Sequence, residues 1–485
     1  MRHARPKPTI LETDILVLGA GLAGLRAALA ARESAPGLRV ALISPRARPS
    51  GSSFANRNNA LGMQAPTPDQ ADAFVAEILR LAAPGLALPQ LARALAQDAP
   101  ACLDFLLGLG LGFRREPSGN LQLFPGCFSS APRAVVFDGL ASAHGALMAR
   151  ARSLGVEMLY GFEALALAQK EPGARVNGAL LCALRRNGGA RQTLAVRARC
   201  VVAALGGPAP LFARRICGPG GSGLGYGLLA SAGARLANTE FLQWFWVEAK
   251  SLAFVNPGEL VWPPQLQHLA QARLTHCPMA NGPDIADVAL DLDLLARLGP
   301  GGVVHAEHRE RGPLYLALAA HAGNGGALIG LQGRTSVPGL FACGECATGM
   351  HGANRLGGGM VLSALVFGAR AGRAAAQEAN QEAAGLEPGG RKDNAAPDEG
   401  IAGLDMAEAH RGSAEMLRWL RSGMQRYGPP QAVLEATRQQ VRSQALQDFV
   451  ARLRNIAEQT RPGAGQRERL LARSALAVLD PEEPA

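Results

Sequence analysis

Residues 14–18, Asp-Ile-Leu-Val-Leu, run straight into Gly19-Ala20-Gly21-Leu22-Ala23-Gly24, and an Ala/Leu-rich stretch over 25–32 follows. An apolar run of strand length, a glycine turn and a helix former, in that order, admit few folds. Gly19 allows the tight turn, Gly21 lets the backbone approach a pyrophosphate, and Gly24 lets helix and strand pack closely. The helix N-terminus offers free N–H groups and partial positive charge to phosphates. Gly19, Ala20, Gly21, Leu22, Ala23 and Gly24 are therefore candidate dinucleotide contacts. The plainer alternative is a glycine turn with no ligand. Val40 to Ile43 reads as the second strand of a βαβ unit. It ends in Ser44 rather than in the usual Asp or Glu, and a hydroxyl can still bond a ribose, without charge assistance.

A second glycine-rich segment lies about three hundred residues on, from Gly339 to Gly368. Val337-Pro338-Gly339-Leu340-Phe341-Ala342-Cys343-Gly344-Glu345 resembles VPGLFAxGE, and His351-Gly352-Ala353-Asn354-Arg355-Leu356-Gly357-Gly358 matches HGANRLGG. These are motifs of the succinate dehydrogenase and fumarate reductase flavoprotein subunits and of L-aspartate oxidase, which share an FAD-binding fold. Other matches keep the family order. Ile43-Ser44 ends the second strand, and Gly51-Ser52-Ser53-Phe54 resembles GSTF or GSHT. Residues 201–207 resemble VVLATGG, and residues 221–243 resemble GDGIALALRAGAxLRDMEFVQ. The resemblance covers most of residues 12–375.

The resemblance implies an α/β fold: a Rossmann-like FAD-binding domain with a reduced inserted capping domain and a C-terminal helical domain. The expected division is 1–243 and 321–377 for the FAD-binding domain, with 244–320 for the cap. A Pro/Gly-punctuated linker over 378–402 and a helical domain over 403–485 complete it. FAD is the implied cofactor. Glu345 is expected at its ribitol or ribose hydroxyls, and the turn after Gly358, with Met360 and Val361, brings a helix N-terminus to the flavin. Ser44, Ser52, Ser53, Gly206, Ser222 and Arg355 complete the expected cofactor contacts. Covalent members attach flavin to a His just after Gly-Ser; Ser53 and Phe54 stand there, so non-covalent FAD is expected.

Family chemistry moves a hydride between a dicarboxylate and flavin N5, with the carboxylates clamped by arginines and histidines. Bidentate Arg contacts suit planar carboxylates. Arg355 matches the family's carboxylate-binding Arg, and His321 resembles the histidine of HxxMGG; these two are the candidate catalytic residues. His351 and Arg355 are the candidate substrate contacts. The family's other substrate histidine, in EFVQYHPT, is Phe245 here. The RGEGG carrying the proton-shuttle Arg has no counterpart, and Arg273, Arg309 and Arg311 are candidate substitutes, with nothing in their spacing to pick one. Trp244-Phe245-Trp246 implies a more aromatic pocket, or a packed patch under the cap. Asn58-Asn59 replaces Gly-Gly, Gly359-Met360 replaces Asn-Ser, and Ser222 replaces Asp.

At 485 residues the chain has room for two or three domains. No run of about twenty apolar residues occurs, so no transmembrane segment is expected. The N-terminus is basic without an apolar h-region, so a cytoplasmic protein is expected. Eight cysteines lack a disulfide-like rhythm, and the one CxxC, Cys343 and Cys346, falls inside the GLFAxGE turn, so no metal is assigned. An iron–sulfur cluster would belong to a partner subunit. The net charge of +10 is mostly arginine, much of it after residue 390. That distribution argues against nucleic acid as a partner and suits solvated helix faces or an acidic partner. Two amphipathic helical faces are expected in that region: Leu417, Leu420 and Met424, then Leu446, Phe449, Val450, Leu453 and Ile456.

Three readings follow. The first is an FAD-dependent oxidoreductase acting on a small carboxylate other than succinate. The second is a flavoprotein subunit passing electrons to an iron–sulfur partner. The third is an FAD-binding protein without turnover. Arg355 and His321 favour the first two; Phe245 and the missing shuttle motif favour the third or a new substrate.

Overall fold

A computed structural model describes residues 9–129, 131–187, 190–255, 257–276, 285–299, 301–385, 420–421, 424, 444–458 and 466–479. Its centre is a five-stranded parallel sheet in the order Leu340–Ala342, Cys200–Ala203, Ile15–Leu18, Val40–Ser44, Glu157–Tyr160. The three inner strands and the edge strand Leu340–Ala342 are buried along their whole length. They are runs of Ile, Leu, Val, Ala, Phe and Cys without polar alternation, as a sheet covered on both faces requires. The strand that comes first in this sheet's sequence lies at its middle. Successive strands are added to either side of it, and the crevice opens where the order reverses, at the carboxyl ends.

The helix Leu22–Ser34 follows the central strand and packs against the long helix Gly359–Ala383. Buried alanines such as Ala27, Ala371 and Ala375 keep the two close. The long helix also corrects the expected linker. Residues 378–383 continue it, because Glu378 is buried there in ion pairs with Arg175 and Arg334. The rest of the expected linker, 386–402, lies outside the described residues.

The cap is a four-stranded antiparallel sheet, Leu242–Glu248, Gly312–Gly323, Val304–His308 and Leu260–Val261. Two helices, Pro264–His276 and Ile285–Ala296, cover it and build a separate core around Trp246, Leu266, Leu290, Leu294 and Leu316. Its strands start at 242 and end at 323, so the expected boundaries at 243/244 and 320/321 cut through paired strands. The aromatic triplet divides by strand alternation. Trp246 enters the cap core and donates Nε1–H to Asp291 Oδ1 at 2.6 Å. Trp244 sits edge-on to Phe212, and Phe245 turns to the opposite face.

At the C-terminus, the helix Gln466–Leu479 docks on the short helix Gly225–Ser231, where Ser474 Oγ accepts the Gly227 N–H at 2.8 Å. Arg467 donates to Glu163 at 2.8 Å and Arg473 to Ser231 at 2.6 Å. Part of the late basic charge therefore fastens this helix to the body of the protein. Leu420, Met424, Phe449, Val450, Leu453 and Ile456 are buried as the expected amphipathic faces require. Leu417 lies outside the described residues, and so does the side chain of Leu446.

Candidate active site

A cleft of about 280 Å³ runs along the carboxyl ends of the parallel strands. Each strand delivers one wall: Gly19 after the central strand, Ser44 after the next, Gly206 after Cys200–Ala203, and Glu345 after Leu340–Ala342. Of the residues expected at the cofactor, all but Gly24 line it. Gly24 serves the packing role expected of it, since a Cβ there would stand 1.8 Å from the Gly19 carbonyl oxygen.

Two helices point their N-termini into the cleft. The helix Leu22–Ser34 starts at Gly21 and the helix Gly359–Ala383 at Gly358, neither with a side-chain cap. The positive ends of two helix dipoles therefore face the same space. Gly358 has φ +81°, a conformation that lets the chain enter the second helix abruptly. Ser53 Oγ accepts the Leu22 N–H at 3.2 Å, which ties the Gly51–Phe54 helix to the glycine turn. Asn59, one of the Gly-Gly replacements, adopts φ +46°, a left-handed conformation that Asn tolerates better than most residues.

The turn before Gly358 is braced from below. Gln64 Nε2 donates to the Gly357 carbonyl at 2.7 Å, and Gln64 Oε1 accepts from Arg133 Nε at 3.0 Å. Arg133 in turn pairs with Glu77 and stacks on Phe74. Neither Gln64 nor Arg133 is expected from motifs, because a bracing residue needs only shape and charge complementarity.

The chemistry-bearing end holds Arg355, His321 and Glu345. Arg355 is 4% exposed and donates Nε–H to Asn324 Oδ1 at 2.9 Å. Asn324 is fixed in turn by its N–H to Phe241 O and its side-chain amide to Ala353 O. Gln243 holds the Arg355 backbone carbonyl at 3.3 Å and Asn354 at 2.9 Å. Among the described residues no carboxylate forms an ion pair with Arg355, so the two terminal nitrogens remain for a ligand in the cleft. Burial lowers its pKa to about 10, opposed by Glu345, and it stays protonated at neutral pH. Neither Asn324 nor Gln243 is a sequence candidate, although Asn324 lies three residues after His321 and Gln243 ends the 221–243 segment.

His321 is the antepenultimate residue of the Gly312–Gly323 strand. Burial, with a smaller contribution from Arg355, lowers its pKa to about 3, so the ring is neutral. Phe245 lies parallel to it, ring centroids 4.5 Å apart, and Phe254 closes edge-on to Phe245 at 5.3 Å. Glu345 Oε1 accepts the Gly323 N–H at 3.0 Å and so anchors the strand that carries His321. Burial raises the Glu345 pKa against the pull of the Gly323 and Gly207 N–H groups and of Arg355.

Two expectations take a different place. His351, expected at the substrate, is 2% exposed and off the cleft wall; among the described residues neither ring nitrogen has a partner. The helix start at Gly359 packs over it. Arg309 and Arg311 are exposed at the tip of the hairpin between Val304–His308 and Gly312–Gly323. His321 is near the other end of that strand, roughly 33 Å away at about 3.3 Å per residue. The Arg273 side chain lies outside the described residues.

His351 carries a stability prediction. Burial, helped by Arg355, lowers its pKa from 6.5 to about 3. The unfolded chain then binds more protons than the folded one between those values, so stability falls as pH drops from about 6.5 toward 3. Thermal melts at pH 7.5 and pH 5 should show this loss, and His351→Leu should lessen it.

These features define a dinucleotide-binding α/β flavoprotein. The family model described as FAD binding domain matches residues 14–249 and 286–361, and the chain belongs to this family of FAD-dependent oxidoreductases. It is 32% identical to an L-aspartate oxidase of Caulobacter vibrioides over 411 residues, 75% of this chain and 76% of that protein. An L-aspartate oxidase of Halobacterium salinarum is 31% identical over 393 residues, 75% of each chain. Among solved structures, an E. coli quinol fumarate reductase superposes with a TM-score of 0.75 at 21% identity, covering 97% of this chain and 87% of that one. Adenylylsulfate reductase of Archaeoglobus fulgidus gives 0.67 at 18% identity, covering 97% and 88%. These two likenesses show the fold. FAD is the cofactor, and the cleft suits it: two helix N-termini open on it, and a ring of small residues leaves room for the chain of the cofactor. No helix among the described residues is long and apolar enough to cross a membrane.

Proposed function

We propose that the protein binds FAD non-covalently and transfers a hydride between a small carboxylate and flavin N5. The observation that carries this is Arg355: a buried, protonated guanidinium, oriented through Nε by Asn324, with its terminal nitrogens left to the cleft. A charge so enclosed calls for an anion, and the guanidinium fork matches a carboxylate.

Bound FAD supplies hydride acceptance at N5. The protein's own residues do the rest. Gly21 and the first turn of Leu22–Ser34 hold the pyrophosphate, and Glu345 takes ribitol or ribose hydroxyls. The N-terminus of Gly359–Ala383, which opens on the cleft, would offer partial positive charge to the flavin. Arg355 fixes the carboxylate, and neutral His321 donates or accepts one hydrogen bond without adding charge. Ser53 and Phe54 stand where covalent members carry the flavin-linked histidine.

The alternative is the third reading, a protein that binds FAD and an anion without turnover, favoured by the remote position of Arg309 and Arg311. Two experiments test the proposal. Acid precipitation should release FAD into the supernatant; flavin retained on the denatured polypeptide contradicts non-covalent binding. Anaerobic mixing with a panel of small carboxylic acids should bleach the flavin with at least one of them. Binding without any bleaching would favour the reading without turnover.

A further inference from the structure

Arg355 is the one cationic side chain on the cleft wall among the described residues. Apart from the Glu345 carboxylate, the wall there offers no charged group: Ile216, Cys217, Ala322, Met360 and the uncharged ring of His321 line it. Two further arginines are close in sequence to Ile216, but both turn from the cleft. Arg214 donates Nη1–H to the Gly302 carbonyl at 2.7 Å, and Arg215 donates to the Phe212 carbonyl at 2.9 Å. Behind His321, Phe245 presents a ring face rather than a hydrogen-bond donor, and Phe254 extends that aromatic surface to solvent. Phe245 also joins Ile216, Val247 and Ala319 in one small apolar cluster.

A dicarboxylate needs two anion-binding groups at opposite ends. A second carboxylate here would meet the uncharged His321 ring, backed by Phe245, and the Glu345 carboxylate, with no second cation on the wall among the described residues. Enclosing a second negative charge without a cation is strongly unfavourable, whereas a methyl or phenyl group gains from the aliphatic side chains beside it. We propose that the substrate is a monocarboxylate: one carboxylate on Arg355, and an uncharged, apolar remainder directed toward the His321–Phe245 side. The inference rests on the carboxylate reading of the site and narrows it.

The test uses the FAD-loaded protein and three trans-unsaturated acids that differ at one end. Cinnamate carries phenyl, crotonate methyl and fumarate a second carboxylate. Each is titrated under air-free conditions while the visible flavin spectrum is recorded. The expected result is that cinnamate or crotonate perturbs the spectrum at a concentration at least about tenfold lower than fumarate. Phe245→His should narrow that ratio by improving fumarate, while Phe245→Leu should keep it. Fumarate binding as tightly as both monocarboxylates overturns the inference and leaves the carboxylate site standing. If none of the three perturbs the flavin, the carboxylate reading itself falls and takes the inference with it.

Discussion

Succinate, fumarate and L-aspartate are expected to turn over far more slowly than the ordinary enzyme range of about 1–10³ per second. Two losses act together. The proton-shuttle motif RGEGG has no counterpart, and positioned acid–base groups supply about 10²–10⁴-fold in rate. The second carboxylate of such a substrate also lacks a partner. Phe245 stands where a histidine is used in the family, and an unpaired polar group in a closed site costs about 1–3 kcal/mol, or roughly 5–150-fold. The combined deficit is on the order of 10³–10⁶-fold. Steady-state assays with an artificial electron acceptor measure it. Ordinary turnover with any of the three would show that an arginine reaches the flavin by a route the hairpin geometry does not provide.

Arg133→Met is expected to be the most destabilising single change outside the cleft. Arg133 is 2% exposed, pairs with Glu77, donates to Gln64 and Ser129, and covers Phe74. Methionine fills the space but leaves the Glu77 carboxylate enclosed without its cation. Breaking a buried pair in this way costs about 3–5 kcal/mol. Near the melting temperature that is a fall of about 6–20 °C, using roughly 2–4 °C per kcal/mol for large domains. Glu77→Leu on the same background should recover part of the loss, because it removes the unpaired charge. Gln64 also loses its anchor, so FAD affinity should fall through the loosened Gly357–Gly358 turn. A change below about 1 kcal/mol would show that solvent already reaches the pair.

Much of this architecture is legible in the sequence, and the reason is physical. Gly19, Gly24 and Gly358 hold positions where backbone approach or a left-handed φ admits little else, so their spacing survives as a readable pattern. The apolar strands over 15–18 and 40–43 read plainly because a doubly covered sheet tolerates no polar alternation. Arg355 and His321 were legible through their flanking residues, and the structure brings both to one cleft. What escaped were contacts between distant segments. Gln64, Arg133 and Glu77 meet across folds of the chain and carry no motif. His351 was expected at the substrate through its neighbours, yet its ring turns under the start of a helix. The expected linker starts six residues before the helix ends, because Glu378 and Glu382 look solvated in sequence although Arg175 holds both.

The central claim is that Arg355 grips a carboxylate beside the flavin. Its most direct measurement is a crotonate titration of the flavin spectrum in the FAD-loaded protein and in Arg355→Met. A charge-assisted hydrogen bond contributes about 1.5–3 kcal/mol, so the variant should retain FAD and bind crotonate roughly ten- to hundred-fold more weakly. Equal affinity in the two proteins would contradict the claim.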